Sequence, residues 1–225
     1  NASVNVTYTL DIFGGNRLEW GQFLCRIDNF LALLAGDPAR AGRLLDRLVE
    51  LHLARLEQVL PAVGPHVDVV LFGDDLGMQN GPQMSPRMYR ELFMPRHGRM
   101  WRRAKELAGA KVKLHCCGGV RPLLDSLIEA GLEAINPVQI SCAGMDAAGL
   151  KRDFGGRITF WGGGCDTQRV LPRGTPEEVR RHVLEQCRIL SPGGGFVFQQ
   201  VHNVMANVPP GNLVAMFDAV AEFNR

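Results

Sequence analysis

Short apolar segments alternate with amphipathic ones from one end of this chain to the other, and that alternation restricts the fold more than any single motif. Residues 5–10 read as a strand, and Gly14 and Gly15 break it. Residues 67–73 are apolar on both faces, as a strand needs when helices cover both sides of a parallel sheet, and they end in Asp74 and Asp75. Further strands are predicted from Lys111 through Cys117 and over 133–138, 157–161 and 196–201.

Helical spacing fills the intervals. Trp20, Phe23, Leu24, Ile27, Phe30, Leu31 and Leu34 predict one helix over 19–34. Asp37 caps the next, with Pro38 in its first position, and leucines on one side carry it to about Leu60. Ser85 and Pro86 start a helix to about Leu107, in which Pro95 predicts a kink. A helix over 122–130 stops at Gly131, and a short one covers 146–153. Thr175-Pro-Glu-Glu178 is a capping box for a helix over 176–190, and a last helix spans 211–223.

Strand then helix, six times over, implies parallel strands joined by right-handed crossovers. Asp74, Asp75, His115, Cys117, Gln139, Cys165, Asp166 and His202 all come after predicted strand ends. An open doubly wound sheet gathers ligands only at a switch point, whereas a (β/α)8 TIM barrel builds its active site from that whole rim. The expected fold is therefore a TIM barrel in a single domain over residues 1–225. Six units are two short of eight, a complete barrel takes about 250 residues, and residue 1 is not methionine, so the expectation is an N-terminally truncated barrel of about six βα units.

Composition narrows the partners. A net charge of +2, with basic residues spread along the helices, argues against nucleic acid or an anionic membrane surface. No apolar run reaches the roughly 18 residues of a membrane span. Six cysteines, two of them adjacent, do not form the spacing of a secreted disulfide framework, so a reducing, cytoplasmic location is expected. Asn1-Ala-Ser3 and Asn5-Val-Thr7 match a glycosylation sequon by chance on that reading. Cys25, Cys142 and Cys187 read as structural.

The chemistry concentrates at His115 and Cys117. Two residues apart on a strand, they point to one side, and imidazole with thiolate is a donor pair zinc favours. A catalytic zinc needs a third protein donor, and two ligands alone do not make a site. Asp74 and Asp75 are candidates for acid–base work, for a fourth metal ligand or for orienting His115. The alternative for the thiols and His115 is ordinary core packing, and for the carboxylates a turn or cap. Gly162-Gly-Gly164 lacks the Gly-Lys-Ser/Thr ending of a phosphate loop.

Several stretches resemble the uroporphyrinogen decarboxylase-like superfamily, whose members are (β/α)8 barrels. They are Phe72-Gly-Asp-Asp-Leu-Gly77, Met84-Ser-Pro86 with Tyr89, His115-Cys-Cys-Gly118 with Arg121-Pro122, and Ile135-Asn-Pro-Val-Gln139. Gly162-Gly-Gly-Cys-Asp-Thr-Gln168, Gly174-Thr-Pro-Glu-Glu178, Val201-His-Asn-Val204 and Val208-Pro-Pro-Gly-Asn212 continue the series in the same order. His-x-Cys-Gly is similar to the zinc motif of the corrinoid-linked methyltransferase branch. That branch usually draws its third ligand, a cysteine, from the last strand end, where this chain has His202; decarboxylases have a histidine in a similar position.

The resemblance implies a zinc-dependent methyltransferase, with His115, Cys117 and His202 as ligands and a methylcorrinoid on a partner corrinoid protein as co-substrate. Cys165, on the same rim, is the rival for the third ligand place. The acceptor is a small thiol or a similar molecule. Asp74, Asp75 and His202 are the implied catalytic groups, and Gln139, Cys165 and Asn203 the implied substrate or cofactor contacts. The alternatives are a metal-free uroporphyrinogen decarboxylase of porphyrin biosynthesis and a non-catalytic ligand-binding barrel. The decarboxylase's arginine-rich N-terminal motif would precede residue 1. The resemblance also allows a homodimer.

Overall fold

Six short parallel strands carry the architecture of the computed structural model, which describes residues 9–11 and 17–225. They are β1 (Thr9–Asp11), β2 (Val69–Gly73), β5 (Lys111–His115), β6 (Ala134–Asn136), β7 (Thr159–Trp161) and β8 (Phe196–Val197), and they succeed one another in chain order in one sheet. A small antiparallel hairpin, β3 (Gly77–Met78) with β4 (Gly81–Pro82), interrupts the series after β2. The sheet is open among the described residues, with β1 and β8 as its end strands, so the mixed α/β class and the parallel strands agree with the barrel expectation while ring closure does not. The predicted strand over 5–10 and the Gly14-Gly15 break fall mostly outside the described residues; only the Thr9–Asp11 strand is seen.

Contacts divide the chain into two units. The first comprises residues 1–76, 84–115 and 123–133. Its helices are α1 (Arg17–Cys25), α2 (Ile27–Gly36), α3 (Pro38–Val63), α4 (Pro86–Met88), α5 (Met94–Ala108) and α6 (Leu124–Glu129). The single helix expected over 19–34 is two, because Arg26 adopts φ 69° between them. The reversal lets the Phe30 ring close on Gly21, where any Cβ would come within 2.2 Å of it. Asp37 caps α3 as expected, accepting from the Arg40 N–H at 2.9 Å. Leu45, Leu56 and Leu60 of α3 are buried in this unit, as are Met100, Trp101 and Ala104 of α5, and Arg96–Asp46, Arg99–Glu50 and Arg103–Glu57 ion pairs cross the outer edge of the two helices.

The effect of Pro95 is displaced rather than absent. Ser85 caps α4 through the Met88 N–H, and a π turn over Tyr89–Phe93 separates α4 from α5. Proline has no N–H to donate and crowds the carbonyl four residues back. Widening the preceding turn relieves both problems without ending the helix.

The second unit comprises residues 77–83, 116–122 and 134–225. It holds β6, β7 and β8 with α7 (Ala147–Phe154), α8 (Val170–Arg173), α9 (Pro176–Leu190) and α10 (Pro210–Phe223). Both halves of the Thr175–Glu178 capping box are formed. Asp146 caps α7 through the Gly149 N–H at 2.7 Å. Leu171, Val179, Val183, Cys187, Met216 and Ala219 belong to its core. The last strand ends at Val197, earlier than expected, and a lone bridge between Cys165 and Gln200 extends the pairing. The α8 turn and the β3–β4 hairpin were not legible in the apolar pattern, since each is too short to show a period. Among the described residues no helix is long and apolar enough to cross a membrane.

Candidate metal centre

β5 pairs in parallel with β2, register placing Gly73 beside His115. The strand stops at His115, so Cys117 lies in the loop and not on the strand as expected. The alternation of faces survives one step further. Cys116 N–H donates to the Asn136 carbonyl at 2.7 Å, Cys116 is buried, and His115 and Cys117 on either side of it are partly open. Gly118, at φ 90°, then turns the chain away; a Cβ there would sit 2.3 Å from the Gly77 carbonyl carbon, so only glycine lets the β3 hairpin cross at this point.

The ligand atoms of His115, Cys117 and His202 all lie within 4.8 Å of one another. Tetrahedral zinc with N and S donors sets them about 3.5 Å apart, and separations of no more than 4.8 Å lie near that spacing. Two imidazoles and one thiolate suit zinc in charge and softness, and three donors leave one position open. His115 and Cys117 are half-buried and His202 exposed. His202 adopts φ 59°, and its Nδ1 accepts the Asn203 N–H at 2.7 Å. In the neutral ring that bond puts the proton on Nε2, so a metal at either nitrogen would cost the Asn203 bond: at Nδ1 it would take the accepting lone pair, and at Nε2 it would require the ring proton to sit on Nδ1.

The other expected site residues go elsewhere. Asp74 is fully buried, and its oxygens accept from the Leu18 N–H at 3.0 and 3.2 Å, the Glu19 N–H at 3.3 Å and His97 Nε2 at 3.2 Å. It clamps the first turn of α1 from a fully buried position, where the general-acid expectation had placed it on the open rim. Asp75 is half-buried and its N–H donates to Glu19 Oε2 at 3.2 Å. Gln139 Oε1 accepts the Gly118 N–H at 2.9 Å and so braces the loop behind Cys117. Asn136 donates to the Trp161 carbonyl at 2.8 Å and to Gln199 Oε1 at 3.0 Å.

Cys165 is the clearest correction. It is 0% exposed in the core of the second unit, and burial pushes its thiol up to about 12, with Asp166 adding to the effect. A thiol sealed in that core stands apart from the rim donor set of His115, Cys117 and His202, where the expectation had placed it. Asp166 Oδ1 accepts the N–H groups of Gln168 at 2.7 Å and Arg169 at 3.1 Å, opening α8. Asn203 is exposed and meets the centre through its amide bond to His202.

Sequence reasoning missed His97 and Tyr89. Tyr89 Oη lies 3.1 Å from His97 Nδ1, and His97 stacks on Trp101 with centroids 5.0 Å apart. The signal was present as aromatic rings at every fourth residue, Tyr89, Phe93, His97 and Trp101, hidden by Pro95 in their midst.

Residues 21–223 match the family model described as uroporphyrinogen decarboxylase (URO-D). The chain therefore belongs to the URO-D family. A solved methyltransferase from Methanosarcina mazei superposes with a TM-score of 0.75 at 18% identity, over all of this chain and 61% of that one. The chain thus spans 61% of that relative's length, and at this identity the likeness establishes the fold. A comparison with curated proteins gives no match.

Proposed function

We propose that this URO-D-family chain serves a zinc-dependent transfer of a methyl group from a methylcorrinoid, carried on a partner corrinoid protein, to a small thiol acceptor. The observation that carries the reading is the convergence of His115, Cys117 and His202 within 4.8 Å. A bound zinc ion would supply positive charge that keeps a thiol deprotonated near neutral pH.

The chain's own residues do the rest. His115 contributes a donor from the end of a hydrogen-bonded strand, so its backbone is fixed. Cys117 enters the ligand set as thiolate, its proton leaving to solvent. Gln139 holds the Gly118 amide and so the loop carrying Cys117. His202 is the exposed donor, and it gives up its Asn203 amide bond on joining through either ring nitrogen. In the overall reaction the acceptor sulfur forms a bond to the methyl carbon with its own electron pair while the cobalt–carbon bond breaks, that pair remaining on cobalt.

Metal analysis by mass spectrometry tests the reading. The wild-type chain is expected to hold about one zinc per chain, and His115→Ala and Cys117→Ala each to lose it. A wild-type protein with no affinity for zinc defeats the proposal. A second reading, metal-free decarboxylation, draws support from His202 standing where the methyltransferases have a thiolate donor: an exposed imidazole also suits substrate carboxylates. Turnover of uroporphyrinogen that survives a strong chelator would select it. Full zinc occupancy with no methyl transfer across an acceptor panel would instead select a binding barrel.

A further inference from the structure

A buried polar chain runs from α5 to the backbone of His115. Tyr89, His97 and Asp74 are each no more than 1% exposed. As a neutral imidazole between a phenol and a carboxylate, His97 has one consistent arrangement. Nε2–H donates to Asp74 Oδ2 at 3.2 Å, and Nδ1 accepts from the Tyr89 hydroxyl at 3.1 Å. Asp74 spends its remaining capacity on the first N–H groups of α1, where the helix dipole favours a negative charge. Arg17, wholly buried one residue earlier, provides a nearby positive charge that Asp74 in turn helps to hold.

The backbone of Asp74 faces the other way. Its N–H donates to the His115 carbonyl at 2.9 Å, one step beyond the Gly73–His115 pair. The side chain of Asp74 is thus fixed from α1 and α5, and its amide fixes the residue that carries the first metal donor. A strand end commonly frays; this one is tied on both of its sides.

The π turn makes the arrangement work. An α-helix advances about 100° per residue, so positions eight apart miss alignment by about 80°. The wider turn over Tyr89–Phe93 removes that offset and sets Tyr89 on the His97 face. Tyr89 stacks against Phe93 with centroids 6.4 Å apart and 7° between the planes.

We infer that Tyr89, His97 and Asp74 form a positioning relay for His115, acting through the Asp74 amide on the metal donor rather than on substrate. The inference rests on the metal reading of His115 for its functional meaning, and its physical content is the order of the His115 side chain.

The test uses the full chain with Tyr89→Phe, His97→Ala and His97→Gln, and with Leu45→Ala as a control that loosens the same unit without touching the relay. Zinc affinity is measured by competition with a chromophoric chelator, and the His115 ring resonance is followed by NMR in metal-free protein. Tyr89→Phe and His97→Ala are expected to weaken zinc binding about tenfold and to shift and broaden the His115 resonance. His97→Gln, which keeps a donor for Asp74 and an acceptor for Tyr89, restores both, and Leu45→Ala lowers the melting temperature while moving neither. An unchanged His115 resonance in Tyr89→Phe and His97→Ala overturns the relay whatever the metal result. A responsive resonance in a protein that binds no zinc upholds the relay and removes the metal reading instead.

Discussion

Cys117 comes after the end of β5 and Cys165 after the end of β7, each with glycine beside it, and both read as rim thiols in the sequence. Cys117 is half-buried with two imidazoles close by. Cys165 is sealed among Leu171, Val179 and Val183, its thiol pushed up to about 12. The residue next in the chain separates the two cases. After Cys117, Gly118 turns under the β3 hairpin and leaves the thiol beside His115. After Cys165, Asp166 opens α8, and α9 and α10 close over the sulfur. A strand end confers an address; the next turn decides whether the address faces solvent.

The sharpest way to break this contrast is at the turn. Gly118→Val drives a side chain into the Gly77 backbone from a left-handed conformation. It should cost about 4 kcal/mol through overpacking and backbone strain together, and abolish zinc retention, read by chemical denaturation and metal analysis.

Acid extends the contrast of buried and open groups to histidine. Burial, with Arg17 and Arg55 nearby, lowers His52 to about 4. A folded value below the unfolded 6.5 means that the unfolded chain binds the extra proton first. Stability is then complete above pH 6.5 and falls as pH drops toward about 4, by up to about 3 kcal/mol. His52→Gln should flatten that window in a pH series of denaturation curves; an unchanged slope would show that other groups govern it.

Paired thiol substitutions come next. Cys165→Ser buries a hydroxyl among apolar side chains and should lose about 2 kcal/mol with zinc content intact. Cys117→Ser should lose zinc with stability changed by no more than about 0.5 kcal/mol. At about pH 8 a thiol reagent should label Cys117 in the metal-free native chain and spare Cys165 until the protein unfolds; equal labelling rates would erase the distinction. The smallest effect sets the scale: Thr175→Ala removes the capping-box hydroxyl and should cost about 1 kcal/mol, leaving both cysteines as they were.

Much of this was legible because it is local. Asp37, Ser85, Asp146 and the Thr175 capping box each announced a helix start, and each accepts the expected backbone N–H. The order of six parallel strands came from alternation, His115 and Cys117 from residue type and address, and His202 from the family resemblance. The illegible part depended on partners distant in sequence. Asp74 and Asp75 are adjacent and chemically alike, and only the arrival of α1 and His97, 55 and 23 positions away, consumes the first. The break at Arg26 was hidden because apolar spacing continues across it, and the reason for the break is a ring closing on Gly21.

The π turn over Tyr89–Phe93 carries one more consequence. It is a single surplus residue held in a helix, and it brings the rings at 89, 93, 97 and 101 into one file. Deleting one residue of that turn after Tyr89 would restore ordinary winding with Tyr89 and His97 seven positions apart, about 20° from alignment. Inserting one would carry Tyr89 about 100° further round, so this segment should tolerate a shortened turn far better than a lengthened one.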